Sequence, residues 1–240
     1  MKRGDGRAFN QLRDIKITPG YLAFAEGSVL IEMGNTHVIC AVTLDQKVPP
    51  FLKNSGKGWV TAEYSMLPRA TLSRTQRDST QGKVNGRSQE IQRLIGRSLR
   101  AVTDLGAFGE RQLIVDCDVV QADGGTRTAS ITGAYVALYQ AFNNMKSMGL
   151  IKDIPLKNAV AATSVGIVRS YMMMDLCYEE DSQAEVDFNV VMTDQGLFVE
   201  VQGTAENKPF SKNSLDGLIN LAGEGIKQLF EVQQKVIKTL

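Results

Sequence analysis

The sequence predicts an α/β protein: a single-domain sandwich of mixed β-sheets with helices packed against them. Three observations carry this. Runs with period-two alternation and runs with apolar residues three and four apart both occur along the chain, and they do not alternate as strict βαβ units, which argues against a doubly wound sheet. No linker or internal repeat divides it, since the longest Gly/Pro/Ser-bearing stretch, KVPPFLKNSGKG at 47–58, is short and mixed. The 240 residues, 43% hydrophobic, are enough to bury one substantial core.

The elements follow in order. GSVLIEMGNTHVICAVTLD at 27–45 predicts two strands joined at Gly34-Asn35, and GWVTAEYSML at 58–67 predicts another, closed by Pro68. An arginine-rich loop leads to a helix over 87–105. On a wheel advancing about 100° per residue, Ile91, Leu94, Ile95, Ser98, Leu99, Val102 and Leu105 share one side. ERQLIVDCDVVQ at 110–121 alternates as a strand, with Leu113, Val115, Cys117 and Val119 on one face. Ile131, Ala134, Tyr135, Leu138, Phe142 and Met145 predict a second helix. Strand-like runs at 159–168, 171–178, 184–193 and 197–202 precede a last helix through Leu215, Leu218, Ile219, Ala222, Ile226, Leu229 and Phe230.

Composition narrows the chemistry. Cys40, Cys117 and Cys177 are odd in number, far apart and outside CxxC spacing, which argues for a reducing compartment and against a disulfide scaffold or a zinc site. No apolar segment approaches the roughly 20 residues that cross a bilayer, and the N-terminus lacks the apolar run of a signal peptide. The expectation is a soluble cytoplasmic protein. The single histidine, His37, lies in a strand-like run, which argues against a Ser/His/Asp triad or a His-rich metal site and leaves acid–base work to carboxylates, a lysine or metal-bound water.

A net charge of +1 conceals a basic region: within 69–100, Arg69, Arg74, Arg77, Lys83, Arg87, Arg93, Arg97 and Arg100 face only Asp78 and Glu90. Such a patch suits a polyanion; a solvated helix and loop would account for it equally. Arg93, Arg97 and Arg100 cluster opposite the apolar stripe, whereas Arg87 falls on the apolar side in the first helical turn. A guanidinium there needs a carboxylate or a bound anion.

The loop QADGGTRTASITG at 121–133 joins a strand to a helix, an arrangement that gathers backbone N–H groups and a positive helix end at one point. It lacks the Walker lysine and is not GxGxxG, so the usual nucleotide readings fall away; a plain turn with an N-cap is the competing account. In 184–193, Ala184, Val186, Phe188 and Val190 share one face, leaving Glu185, Asp187 and Asn189 on the other. A chain reversal would bring Asp181 and Asp187 within reach of one Mg²⁺, although an acidic hairpin in water explains the same residues. Asp116 and Asp118 are rivals, ranked lower because Val119 and Val120 suggest a largely buried strand.

Taken together, RGDGR at 3–7 with QLR at 11–13, GWVTAEYSMLPRAT at 58–71, GRSQEIQRLIGRSLRAV at 86–102, DCDVVQADGGTRTASITGA at 116–134, EDSQAEVDFNVVMT at 180–193 and VEVQGTAENKPFS at 199–211 resemble the ribonuclease PH family from end to end. These are phosphorolytic 3′-to-5′ exoribonucleases that trim transfer-RNA precursors. The resemblance implies the βαβα-type fold of that family and residue roles. Arg87, Gly125, Thr126 and Arg127 would hold the attacking inorganic phosphate; Asp181 and Asp187 would be the catalytic and Mg²⁺-associated pair; Arg69, Arg74 and Arg77 would contact RNA. It also implies a ring of six, a trimer of dimers. A catalytically silent RNA-binding ring subunit of an exosome-like assembly is the alternative, against which the retained arginines and aspartates argue. One departure stands out. The family usually reads LDLDYxED where this chain has MDLCYEED, and alternation puts Cys177 on the face of Asp175, removing one negative charge near the metal region.

Overall fold

The computed structural model describes residues 3–77, 80, 82, 84–206 and 208–240. Asp78 and Lys83 of the basic region lie outside the described residues. Strands β1 (Ile15–Pro19), β2 (Gly27–Met33), β3 (Thr36–Asp45), β4 (Trp59–Met66) and β5 (Gln112–Gln121) form a five-stranded sheet in the order β1-β2-β3-β5-β4. All neighbours are antiparallel except β4 and β5, which run parallel. The β2–β3 hairpin turns at Gly34-Asn35 as the sequence predicts, with Gly34 at φ 54°. On β5 the predicted apolar face, Leu113, Val115, Cys117 and Val119, is 0–1% exposed. Its other face is half-open, as one side of a mainly antiparallel sheet commonly is.

The second sheet runs β7-β6-β8-β9, all antiparallel, from β6 (Val160–Val168), β7 (Tyr171–Met174), β8 (Val186–Thr193) and β9 (Phe198–Ala205). Helix α1 (Gly86–Val102) packs on β4. Helix α2 (Thr126–Ser147) lies between the sheets, against β2 and β3 on one side and β6 on the other. This explains why Thr128, Ser130 and Thr132 are as buried as Ile131 and Leu138: the helix has no solvent side for most of its length. Its small residues permit close approach, and a Cβ added at Gly133 would come within 2.7 Å of Ile31. One cluster of buried apolar side chains runs through both sheets, and truncating a member such as Phe142 to Ala would cost about 3–5 kcal/mol.

The structure departs from the sequence expectations in three places. The run at 171–178 is strand only to Met174. Asp175 takes φ 52°, the left-handed region, and a single helical turn, α3 (Tyr178–Asp181), follows. Cys177 is therefore not on a strand face with Asp175 but at the N-cap of α3, where the Glu180 carboxylate accepts its backbone N–H at 3.1 Å. Helix α1 stops at Val102 because Thr103 leaves it to bridge Leu156. The C-terminal helix α4 (Lys212–Ile237) packs on β6, β1 and β7. Among the described residues no helix is long and apolar enough to cross a membrane, and all three cysteines are free thiols.

Candidate active site

β5 delivers the chain into the glycine loop, and the backbone there settles what the loop can do. Gly124 and Gly125 have φ of 72° and 64°, a region costly to residues with a Cβ. Gly125 is the N-cap of α2, and no side chain caps that end. The first N–H groups of α2 and the positive end of its dipole are thus left for another acceptor. Thr126, 7% exposed, shares a 2.8 Å hydrogen bond between its Oγ1 and the hydroxyl of Tyr64 from β4. Burial pushes the Tyr64 phenol up, against the Thr126 bond and the Arg87 and Arg127 charges, so it stays neutral.

Arg87 opens α1 behind the N-cap Asn85, whose side chain accepts Ser88 N–H at 2.7 Å. Contrary to the wheel, Arg87 is exposed: the packed face of α1 begins with Ser88 and Ile91, and a first-turn residue projects past it. Among the described residues Arg87 has no ion pair or hydrogen bond, and it faces a cavity of ≈ 640 Å³ also lined by Tyr64, Gly124, Gly125, Thr126, Tyr178 and Asp181. Thus Arg87, Gly125 and Thr126, drawn from two helix N-termini, meet at one opening. Arg127 stands beside it, with Nη1 bonded to Glu90 at 3.1 Å and Gln202 at 2.6 Å. Its charge still reaches both aspartates.

Asp181 ends α3 and Asp187 is on β8, paired across the sheet with Gly166 and Thr204. Burial raises the Asp181 carboxyl above its ordinary value, opposed by Arg87 and Arg127 and reinforced by Glu206. Asp187 is raised by burial, then by the Asp181 and Glu206 charges, and its Oδ1 is buried without a hydrogen-bond partner. Two carboxyls that repel each other, an exposed Asp181 and a half-buried Asp187 with an orphaned oxygen, favour a proton or a cation. This fits one Mg²⁺, which commonly takes one or two protein carboxylates. No group of three or more His, Cys, Asp or Glu disposed around a metal occurs among the described residues, so the pair would be the protein's main contribution.

Two members of the site escaped the sequence reading. Tyr64 alternates inward with Val60 and Ala62, a pattern that by itself marks only a core position. Glu206, just beyond β9, is in a quoted motif, but nothing local ties it to Asp187. Asp116 and Asp118 lie elsewhere, in a cleft of ≈ 230 Å³ with Glu63, and they are half-exposed to exposed rather than buried. Burial and mutual charge raise Asp116, and burial raises Asp118. Of the loop arginines, Arg77 lines the same cavity as Arg87 with Thr71 and Thr75, while Arg69 and Arg74 are exposed and adjoin those threonines only along the chain. Arg69 donates to Leu72 O at 2.9 Å.

Comparison with known proteins agrees. The 3′ exoribonuclease family model for domain 1 matches residues 11–142, and that for domain 2 matches residues 158–225. The glycine loop falls in the first segment and the aspartates in the second. A Ribonuclease PH of Dehalococcoides mccartyi is 63% identical over 236 residues, 98% of each chain. A Ribonuclease PH of Solibacter usitatus is 59% identical, covering 98% of this chain and 99% of its own. The Archaeoglobus fulgidus exosome with RNA bound to the active site has the same fold, with a TM-score of 0.82 at 22% identity over 96% of this chain and 92% of its own.

Proposed function

This chain belongs to the 3′ exoribonuclease family, and from that premise we propose that it is a phosphate-dependent 3′-to-5′ exoribonuclease acting on transfer-RNA precursors. The observation that carries the chemistry is the single cavity joining an unpaired Arg87, an uncapped helix N-terminus and Asp181. Inorganic phosphate binds there through Arg87, Thr126 and the Gly125–Arg127 backbone. One of its oxygens attacks the phosphorus of the last phosphodiester. The bond from that phosphorus to the 3′-oxygen of the preceding ribose breaks, releasing a nucleoside diphosphate and leaving a shortened RNA with a 3′-hydroxyl.

Two anions must meet, so positioning and charge neutralisation dominate the barrier. Arg87 and the α2 N-terminus act on the nucleophile, and Arg127 adds field at the carboxylates. One of Asp181 and Asp187, whose surroundings favour added positive charge, supplies a proton to the leaving oxygen. The same pair would hold Mg²⁺, which when bound neutralises phosphoryl oxygens. A phosphoanhydride replaces a phosphodiester, so the reaction runs backwards as nucleotide addition. Arg69, Arg74 and Arg77 guide the RNA 3′ end, and assembly as a homohexamer, a trimer of dimers, would gather these loops around it. A cytoplasmic setting fits three cysteines that are odd in number and scattered outside CxxC spacing.

The test is an RNA with a 3′ tail, incubated with Mg²⁺ in the presence and absence of phosphate. Diphosphates appearing only with phosphate support the reading. Monophosphates would indicate hydrolysis, and binding without products would indicate a scaffold subunit.

A further inference from the structure

The N-terminal motifs RGDGR and QLR have no part in the chemistry above, yet Arg3 and Arg13 are among the few buried charges of the described residues. Arg3 is 4% exposed and Arg13 6%. Arg13 donates from Nε to Asp175 Oδ2 at 3.0 Å and from Nη2 to Asp175 Oδ1 at 2.6 Å. Its remaining amino group donates to the carbonyl of Asp123 at 2.5 Å and to Thr36 Oγ1 at 3.3 Å. Thr36 in turn donates to the carbonyl of Gly124 at 2.7 Å and accepts Asp123 N–H at 3.0 Å. One guanidinium therefore grips the loop before α2 with one edge and the turn before α3 with the other.

We propose that Arg13 is a positioning residue whose buried fork holds the phosphate loop in register with the turn that carries Asp181. The loop and the turn come from the two separate family segments, so no short stretch of chain fixes one against the other. A misplacement of 1 Å is enough to cost about 10²-fold in rate. A planar fork of five donors can satisfy a carboxylate and a carbonyl at once, which a lysine ammonium on a flexible stem cannot. The rest of the neighbourhood follows the same plan. Asp123 Oδ1 accepts Tyr178 N–H at 3.0 Å, a second tie from loop to α3. Arg3 chelates Glu180 at 2.7 and 2.5 Å and donates to the carbonyls of Met174 and Asp175 at 2.7 and 2.9 Å, holding the start of the turn. A Cβ at Gly125 would come within 3.0 Å of Arg13 Nη2, so the loop is seated directly on the guanidinium.

The proposal rests on the reading of the 123–127 loop as the phosphate site. It is tested with Arg13→Lys and the milder Thr36→Val, measuring kcat and the separate KM values for phosphate and RNA, with thermal unfolding alongside. In folded variants the phosphate KM rises about tenfold or more while the RNA KM stays within about twofold, and Arg13→Lys also loses up to about 10²-fold in kcat. A purely structural role would lower Tm and leave the phosphate KM of the folded enzyme unchanged, and that result overturns the proposal. Should Arg13→Lys not fold, Thr36→Val decides alone by the same criterion. A parent enzyme that releases monophosphates without phosphate instead defeats the underlying reading, whatever the variants do.

Discussion

Gly124→Ala probes how tightly the two halves of the site are fitted. At φ 72° an L-residue bears a strain of about 1–2 kcal/mol, partly offset by about 0.4–1 kcal/mol from the stiffer unfolded chain. The new methyl would also lie 2.5 Å from Leu176 O, 2.8 Å from Cys177 C and 2.9 Å from Tyr178 N. These are all backbone atoms of the segment entering α3, so no side chain can swing aside, and overpacking of this kind costs about 1–3 kcal/mol more. The total is about 1–4.6 kcal/mol, or a fall in Tm of about 2–18 °C for a chain of this size. Gly196→Ala is the control. It has φ 76° but nothing within 4 Å of the added carbon, so it keeps only the strain and its offset and should lose at most about 6 °C. Both are followed by thermal unfolding at equal protein concentration, with phosphorolysis assayed at saturating RNA. Gly124→Ala should also raise the phosphate KM, because the loop and α3 can no longer close on each other. Equal Tm losses in the two variants would refute the close approach.

Four further outcomes are expected. Asp187→Asn should lower phosphorolysis by at least about 10²-fold, yet raise Tm at neutral pH. The folded carboxyl is raised above its ordinary value of 3.8, so the folded state holds its proton more tightly and loses stability as pH climbs from that value toward the raised one. The variant's Tm should therefore decline less over that range, and a parallel decline would contradict the assignment. Arg87→Ala should cost about 10²–10³ in kcat/KM for phosphate, and an unchanged value would remove Arg87 from the nucleophile site. Cys177→Asp places a stronger acceptor at the N-cap of α3 beside the Arg13 charge, and should raise Tm by about 1–4 °C with kcat within about twofold; a fall in Tm would mean that repulsion from Asp123 and Glu180 prevails. Arg74→Ala with Arg77→Ala should weaken RNA binding and flatten its dependence on log salt by about 0.7 per arginine, measured by fluorescence anisotropy.

Elements whose evidence lies within a few residues were legible in the sequence. The β2–β3 hairpin announced itself by alternation around Gly34-Asn35, and α1 by its apolar stripe. The short edge strand β1 did not, because five residues bounded by Pro19 carry too little period to register. The end of β7 was misplaced for a related reason: Asp175 leaves the strand by a left-handed φ that a buried ion pair with Arg13 sustains, and alternation cannot see that partner. Arg87 was identified as a charge needing an anion, though its exposure in an open cavity, rather than burial against apolar residues, came from where the first turn of α1 ends relative to the sheet.

By itself the sequence determined the α/β class, most elements and the residue types gathered in its motifs, because periodicity and turn chemistry are local properties of the chain. Only the tertiary structure decided which of those residues face one another. Tyr64 meets Thr126, Glu206 raises Asp187, Arg127 turns to Glu90 and Gln202, and Arg13 spans from Asp175 to Asp123. Each of these is a through-space electrostatic or hydrogen-bond relation between segments far apart in sequence. Its strength depends on distance and burial, which exist only once both sheets have closed on α2.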